Sequence, residues 1–368
     1  VTASLTFAVG TTFWSQAVIA EVYALNALFV VLTLLLWLRF VEAPDRRSRG
    51  LALALVYGLS LAHHRTMLLL LPATALHAWV IWRGGGWRAW QWRDLAVMLI
   101  GVLAPLALYL YLPLRAPHVP YAMLRLSDRQ TLVLYDNSLG GLLDHVTAMV
   151  FTGNLRLLAG AAGTATGWGD RLGMAGELLH DQVGLVGIAL ALLGLGRVVS
   201  GRAWGILALT VAGYLAGVLF NLVYAISDVA VLFIPSYLFV ALWVACGVAA
   251  LVEAVARIIR RPGSHTGHLM AGLATLGLLV PATLGVNHWP QVDQSANRAA
   301  ETMWQPILAR PLPSGAVLVT NDRDEMMPLW YYQYVEGRRA DLLGLFPGIA
   351  AEPAYADLGG VVDVALAS

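Results

Sequence analysis

Leu59-Ser-Leu-Ala-His-His-Arg-Thr-Met67 decides how this chain folds. It sets two histidines and an arginine inside an apolar run, between Leu51-Ala-Leu-Ala-Leu-Val-Tyr-Gly58 and Leu68-Leu-Leu-Leu-Pro72. Ionisable groups at membrane depth are expensive, and they line protein interiors or watery cavities where something binds. Read as one helix, 51–82 would be about 48 Å long at about 1.5 Å per residue, with the three groups at mid-membrane. Read as two short helices, 51–63 and 66–82, it puts them at a turn on one surface.

Arginine placement chooses between the readings. With two helices, the connections 39–50, 83–94, 197–203 and 257–267 share one side. They carry Arg39, Arg46, Arg47, Arg49, Arg83, Arg88, Arg93, Arg197, Arg202, Arg257, Arg260 and Arg261. Arg-dense short loops mark the cytoplasmic side, whereas one long helix would scatter them over both sides. The two-helix reading needs a thinned or protein-lined environment for 51–63, a span of about 13 residues.

Composition agrees with a membrane chain. The sequence is 59% hydrophobic and 12% charged, with a mean hydropathy of +0.70, which excludes an ordinary soluble domain. Thirteen Trp and thirteen Tyr supply interfacial anchors. All 23 basic residues are Arg, which reads as a compositional bias. The net charge of +1 carries no information about partners, and no basic aromatic patch suggests nucleic acid. The single Cys246 lies in an apolar run, so no disulfide or cysteine–metal framework exists and the side chain reads as packing.

The apolar segments predict a remnant at 1–11 and helices near 13–39, 51–63, 66–82, 95–113, 182–198, 204–224, 229–256 and 268–288. The chain begins inside an apolar segment and ends after one, and it reads as a fragment. The face opposite the arginine loops would collect Phe13–Gln16, the His63–Arg65 turn, the connection 114–181 and the Ser227–Asp228 turn. The connection is expected to hold amphipathic interfacial helices joined by a mobile segment, either a lid or a solvated loop. Residues 1–289 therefore form a multi-helix transmembrane domain with an extracytoplasmic loop at 114–181. After it, Pro290, Pro306, Pro311 and Pro313 break the helical pattern. Ala316-Val-Leu-Val-Thr320 reads as a strand, Asp322 with Glu325 as a capping box opening a helix that stops at Gly337, and Asp341-Leu-Leu-Gly-Leu-Phe346 as a second strand. Strand, helix, strand makes 290–368 the start of an extracytoplasmic α/β domain.

Three polar groups are candidates for chemistry. Glu21 would sit two turns into the first full helix, on a face with Trp14, Val18 and Leu25, where a carboxylate must pair, protonate or bind something. Gln16, Tyr23 and Asn26 belong to the same stretch; its alternative is a polar helix end beside a belt Trp. Arg65 can hold a phosphate with a planar fork of donors, beside His63 or His64. Adjacent histidines point apart on a helix, which argues against a shared metal, and the alternative is an interfacial cap reaching headgroups. Asp228 would cap helix 229–256. No phosphate-binding glycine loop, H-E-x-x-H motif or serine elbow occurs.

Phe13-Trp-Ser-Gln-Ala-Val-Ile-Ala-Glu-Val-Tyr-Ala-Leu-Asn26, Gly58-Leu-Ser-Leu-Ala-His-His-Arg-Thr-Met67, and Asn321-Asp-Arg-Asp with Leu329-Trp-Tyr-Tyr-Gln-Tyr-Val-Glu-Gly-Arg-Arg-Ala-Asp341 resemble the bacterial relatives of the transmembrane-protein O-mannosyltransferases. This is glycosyltransferase family 117 of the glycosyltransferase-C superfamily, formerly a domain of unknown function. The resemblance runs from about residue 5 to 346.

It implies a multi-pass enzyme of the bacterial inner membrane that moves a sugar, mannose among the candidates, from a polyprenyl-phosphate donor to a protein or glycan hydroxyl. An acidic residue in the first external loop would act as base or as ligand of a divalent metal. Arg65, with His64 and His63, would hold the donor phosphate; Trp14, Gln16, Tyr23, Asn26 and Asp228 would line the cavity. The family's acidic motif, near a His-Pro-Pro-Gly-Tyr-Pro-like run, belongs before Phe13 and is absent. The chain thus reads as N-terminally truncated and lacking its main catalytic acid, with Glu21 as the second acidic candidate. The alternative is a transporter or flippase of a lipid-linked saccharide, against which stands the lack of an internal repeat.

Overall fold

The computed structural model describes residues 1–85, 92–119, 122–127, 130–147, 149, 167–226, 228–259, 272, 275–350 and 352–368. The chain divides into two units: Val1–Leu108 with Phe151–Asp293, and Tyr109–Val150 with Gln294–Ser368.

The first unit is helical: α1 (Thr2–Ala8), α2 (Thr11–Ala17), α3 (Tyr23–Glu42), α4 (Arg47–His63), α5 (Leu71–Arg83) and α6 (Trp92–Leu103), then α9 (Trp168–Ser200), α10 (Trp204–Val223), α11 (Ile234–Ile259) and α12 (Leu279–Val292). Among the described residues six helical segments are long and apolar enough to cross a membrane: Tyr23–Glu42, Arg65–Arg83, Arg93–His118, Trp168–Ser200, Trp204–Val223 and Val229–Ile258. Lipid tails are as apolar as leucine, so packing rather than water exclusion must hold such helices together. Between α9 and α11 it does so through glycine. A Cβ on Gly194 would lie 1.9 Å from the Trp243 carbonyl oxygen, and one on Gly247 would lie 1.9 Å from that of Leu190.

The two-helix reading of 51–82 holds. Helix α4 ends at His63, His64 is extended at φ −145° and ψ 122°, and a 3-10 turn over Arg65–Leu70 leads into α5. At 17 residues α4 spans about 25 Å, so its shortness is partly relieved by starting at Arg47.

The arginine-rich ends also gather at one end of this unit. Arg47 pairs with Asp94 at 2.8 Å, Arg49 with Glu42 and with the Arg39 carbonyl, and Arg197 with Glu253. The Trp37 indole donates to Nδ1 of buried His77 at 2.8 Å, joining α3 to the middle of α5, and Gly205 at the start of α10 abuts the same ring. Arg88, Arg260 and Arg261 lie outside the described residues.

Several expected helices change; 95–113, for one, is α-helical to Leu103, 3-10 over Ala104–Leu110 and α-helical again from Tyr111. The span 13–39 is broken: α2 stops at Ala17, α3 starts at Tyr23, and residues 17–22 are exposed. Burying Glu21 inside a span would cost several kcal/mol, roughly, and the break carries it out instead. Trp14, Val18, Glu21 and Leu25 consequently share no helical face. Helix 182–198 reaches back to Trp168, with a kink at Gly184 (φ 65°, ψ 174°). Before the kink, Arg171, Met174, Ala175, Leu178, Leu179 and Gln182 turn inward while Asp170, Glu177, His180 and Asp181 face out. This is a surface helix with a helical apolar period. Helix 229–256 opens as a 3-10 turn over Val229–Phe233, and Pro290 lies inside α12 rather than ending it. The expected start of helix 268–288 falls largely outside the described residues.

The second unit contains α7 (Tyr111–Arg115), the antiparallel hairpin β1 (Met123–Arg125) and β2 (Thr131–Val133), and α8 (Leu139–Thr147). Its later part holds α13 (Ala299–Leu308), β3 (Val317–Val319), α14 (Arg323–Tyr334), β4 (Leu343–Leu345) and α15 (Leu358–Ala367). The hairpin corrects the expectation of helices only in 114–181; the mobile segment expected there falls mostly outside the described residues. Pro306 sits inside α13 and does not end it. The strand–helix–strand expectation is met: β3 and β4 are parallel, Val317 opposite Leu343. Asp322 Oδ1 accepts the Glu325 amide at 2.9 Å, and the Glu325 carboxylate returns to the Asn321 amide at 3.0 Å, one residue earlier than in the standard box. Arg339 donates twice to Asp341, each at 2.9 Å, and to the Leu312 carbonyl at 3.2 Å. Those bonds hold the Asp341 carboxyl down at about 2. Two apolar clusters form the core, one around Trp304, Met326 and Leu329, the other joining Leu124 and Leu132 to Leu345 and Val361.

Candidate functional site

The site lies at the end of the helical unit opposite the arginine-rich ends. His63 is the last residue of α4, and its Nε2 lies 3.1 Å from the carbonyl of Val22, which also accepts the Asn26 amide as the first bond of α3. His64 Nδ1 lies 2.6 Å from Thr66 Oγ1, and the Asn26 amide Nδ2 donates to the same hydroxyl at 3.5 Å. Aromatic contacts close the corner: Tyr23 with His64 at 5.9 Å and Phe29 with His63 at 5.5 Å between ring centroids. The break at 18–22, which carries Glu21, is thereby tied to the turn that carries Arg65.

Burial, then the neighbouring His63 and Arg65 charges, push the His64 imidazole down to about 4. The ring is therefore neutral at neutral pH. Beside it Arg65, half-buried at the first position of the 3-10 turn, supplies the fixed positive charge. A neutral ring next to a guanidinium offers an anionic oxygen one full charge and one further hydrogen-bonding group.

The other expected residues are distributed as follows. Asn26 is 3% exposed and belongs to the corner, as does half-buried Tyr23. Glu21 is exposed, in the break. Asp228 is exposed and precedes the 3-10 turn without a side-chain capping bond, so it does not cap as expected; Ser227 lies outside the described residues. Its turn nevertheless belongs to the same end: Arg171 donates to the Tyr224 carbonyl at the end of α10 at 3.2 Å, and Val229 packs in one cluster with Phe13 and Tyr23. Gln16 is half-buried on α2. Trp14 faces elsewhere. Its ring meets Trp289 edge-on at 5.7 Å, and both line an apolar recess of about 640 Å³ with Leu5, Val9, Pro281 and Gly285.

Three side chains with structural weight here escaped sequence reasoning. Thr66 was quoted only as a neighbour of Arg65. Gln182 accepts the Thr12 amide at 3.2 Å, and His288 Nδ1 meets the Val9 carbonyl at 2.7 Å; together they clamp the α1–α2 corner from α9 and α12. Nothing in the local pattern announces contacts between residues 170 or 279 positions apart. Among the described residues no three His, Cys, Asp or Glu side chains converge to hold a metal ion, so no metal is assigned to this corner.

No curated protein and no solved structure matches the chain. Residues 1–83, which comprise α1 to α5 with both the Glu21 break and the His63–Arg65 turn, match the family model described as "Protein O-mannosyl-transferase TMEM260 N-terminal domain". The chain is a multi-pass helical protein whose first 83 residues are O-mannosyltransferase-like.

Proposed function

We propose that this protein is an integral membrane glycosyltransferase of the glycosyltransferase-C type, moving a sugar, with mannose the first candidate, from a polyprenyl-phosphate donor to a hydroxyl of a protein or glycan. The observation that carries the reading is the family match over residues 1–83. That segment contains the corner in which Val22 meets His63 and Asn26 meets Thr66. The arginine-rich end supports a cytoplasmic assignment for that side and an outward one for the corner. On this reading the protein belongs to a bacterial inner membrane and its second unit is extracytoplasmic.

In the reaction, an acceptor oxygen forms a bond to the anomeric carbon while the bond from that carbon to the phosphate oxygen breaks. The electron pair leaves with the phosphate, and the acceptor proton goes to a base. Arg65 stabilises the charge gathering on the departing phosphate, with His64 and His63 beside it. Glu21 is the base candidate of this chain. It is exposed, and its side chain has no hydrogen bond or ion pair among the described residues.

The test is sugar transfer by the protein in nanodiscs supplied with polyprenyl-phosphate mannose and a hydroxyl acceptor. Arg65→Ala is expected to lower turnover by about 100-fold or more, the usual cost of removing a donor to developing charge. Wild-type-like turnover by that variant removes Arg65 from the mechanism. Donor that crosses the membrane without turnover favours the transporter reading.

A further inference from the structure

Asn26, Thr66 and His64 form a chain of hydrogen-bonding groups whose direction is set at Asn26. Asn26 is almost fully buried, with Nδ2 on Thr66 Oγ1 and Oδ1 without a partner. The reversed amide would strand both N–H groups of Nδ2 in the interior, and orphaned buried donors are rarer than under-satisfied carbonyl oxygens. The amide therefore donates and the Thr66 oxygen accepts. The hydroxyl has one proton of its own, and among the described residues its sole remaining partner is His64 Nδ1, at 2.6 Å. A neutral imidazole that accepts at Nδ1 carries its proton on Nε2.

We infer that Thr66, held by Asn26, is a positioning residue that fixes His64 as the Nε2–H tautomer, a neutral hydrogen-bond donor beside Arg65 for an anionic oxygen. The role in catalysis rests on the transferase reading; the tautomer does not. Nε2 of His64 makes no hydrogen bond among the described residues, so its proton is available to a ligand. Arginine supplies charge in a planar fork and the ring supplies one further donor, adding no second full charge that the donor phosphate would have to offset. His63 is committed differently, against the Val22 carbonyl.

The experiment is nitrogen NMR of the full chain labelled at histidine, in nanodiscs at neutral pH, with His64 assigned by difference against His64→Gln. The expected spectrum has the His64 proton on Nε2, and Thr66→Val abolishes that preference while Thr66→Ser retains it. In the mannose-transfer assay Thr66→Val loses about tenfold, the worth of roughly one hydrogen bond, and Thr66→Ser restores most of it. A wild-type ring protonated on Nδ1, or a Thr66→Val variant with the tautomer unchanged, overturns the inference. A wild type that transfers no sugar yet carries the Nε2 proton overturns the transferase reading and leaves the tautomer assignment supported.

Discussion

The two ends of the helical unit handle charge in opposite ways. At the arginine-rich end the cations are paired across neighbouring helices, Arg47 with Asp94, Arg49 with Glu42 and Arg197 with Glu253, and each pair has at least one partner open to solvent. Such pairs contribute little to stability. At the other end the interhelical bonds run through ring nitrogens, an amide, a hydroxyl and backbone carbonyls, while the carboxylates of Glu21 and Asp228 stay exposed. One end pairs its cations with carboxylates. The other ties its helices mainly through neutral groups, with Arg171 on the Tyr224 carbonyl, and keeps the Glu21 and Asp228 carboxylates exposed.

Mutation should separate the two ends sharply. The largest effect is on activity, where Arg65→Ala costs about 100-fold in transfer. The next is on stability at the neutral end. A Cβ on Gly10 would lie 1.4 Å from Gln182 Nε2, so Gly10→Val must expel the side chain that accepts the Thr12 amide. A loss of about 1–3 kcal/mol follows from overpacking and the unpaired group, read as a lower thermal midpoint in detergent. An unchanged midpoint would mean that the α1–α2 corner is not clamped.

Acid gives a graded effect. The His64 pKa is lowered from its usual 6.5 to about 4, so the unfolded chain takes up the proton first as pH falls. Its contribution to stability is full above about pH 6.5 and is lost on descending toward pH 4. Midpoints measured across that window should fall in the wild type and flatten in His64→Gln; parallel curves would exclude a buried neutral ring. The smallest effect belongs to the arginine-rich end, where Arg197→Ala should leave both thermal midpoint and transfer within error, because its partner is exposed. A clear loss there would erase the contrast between the ends.

Legibility followed the range of the physics. The turn at His63–Arg65 was readable because only two helices put the arginine-dense connections on one side. The break at 18–22 was not: Val18-Ile19-Ala20 carries no glycine or proline, and the only hint was Glu21 itself. The capping of α14 by Asp322 was legible because it spans three residues. The hairpin at 123–133 was missed because its strands are three residues long, too short for alternation to register.

By itself the sequence determined that this is a multi-pass membrane chain, that the arginines of four short connections belong together, that 51–82 bends at a polar turn, and that a strand–helix–strand unit follows the spans. These follow from hydrophobic length, charge placement and local capping, all carried by neighbouring residues. Only tertiary structure decided which polar groups meet: Val22 with His63, Asn26 with Thr66, Gln182 with Thr12 and His288 with Val9. Those contacts depend on how closely helices approach, which small residues such as Gly10, Gly194 and Gly247 permit but no local pattern spells out. Arg65 and the histidines could be named from the chain; the hydroxyl that holds His64 needed the fold.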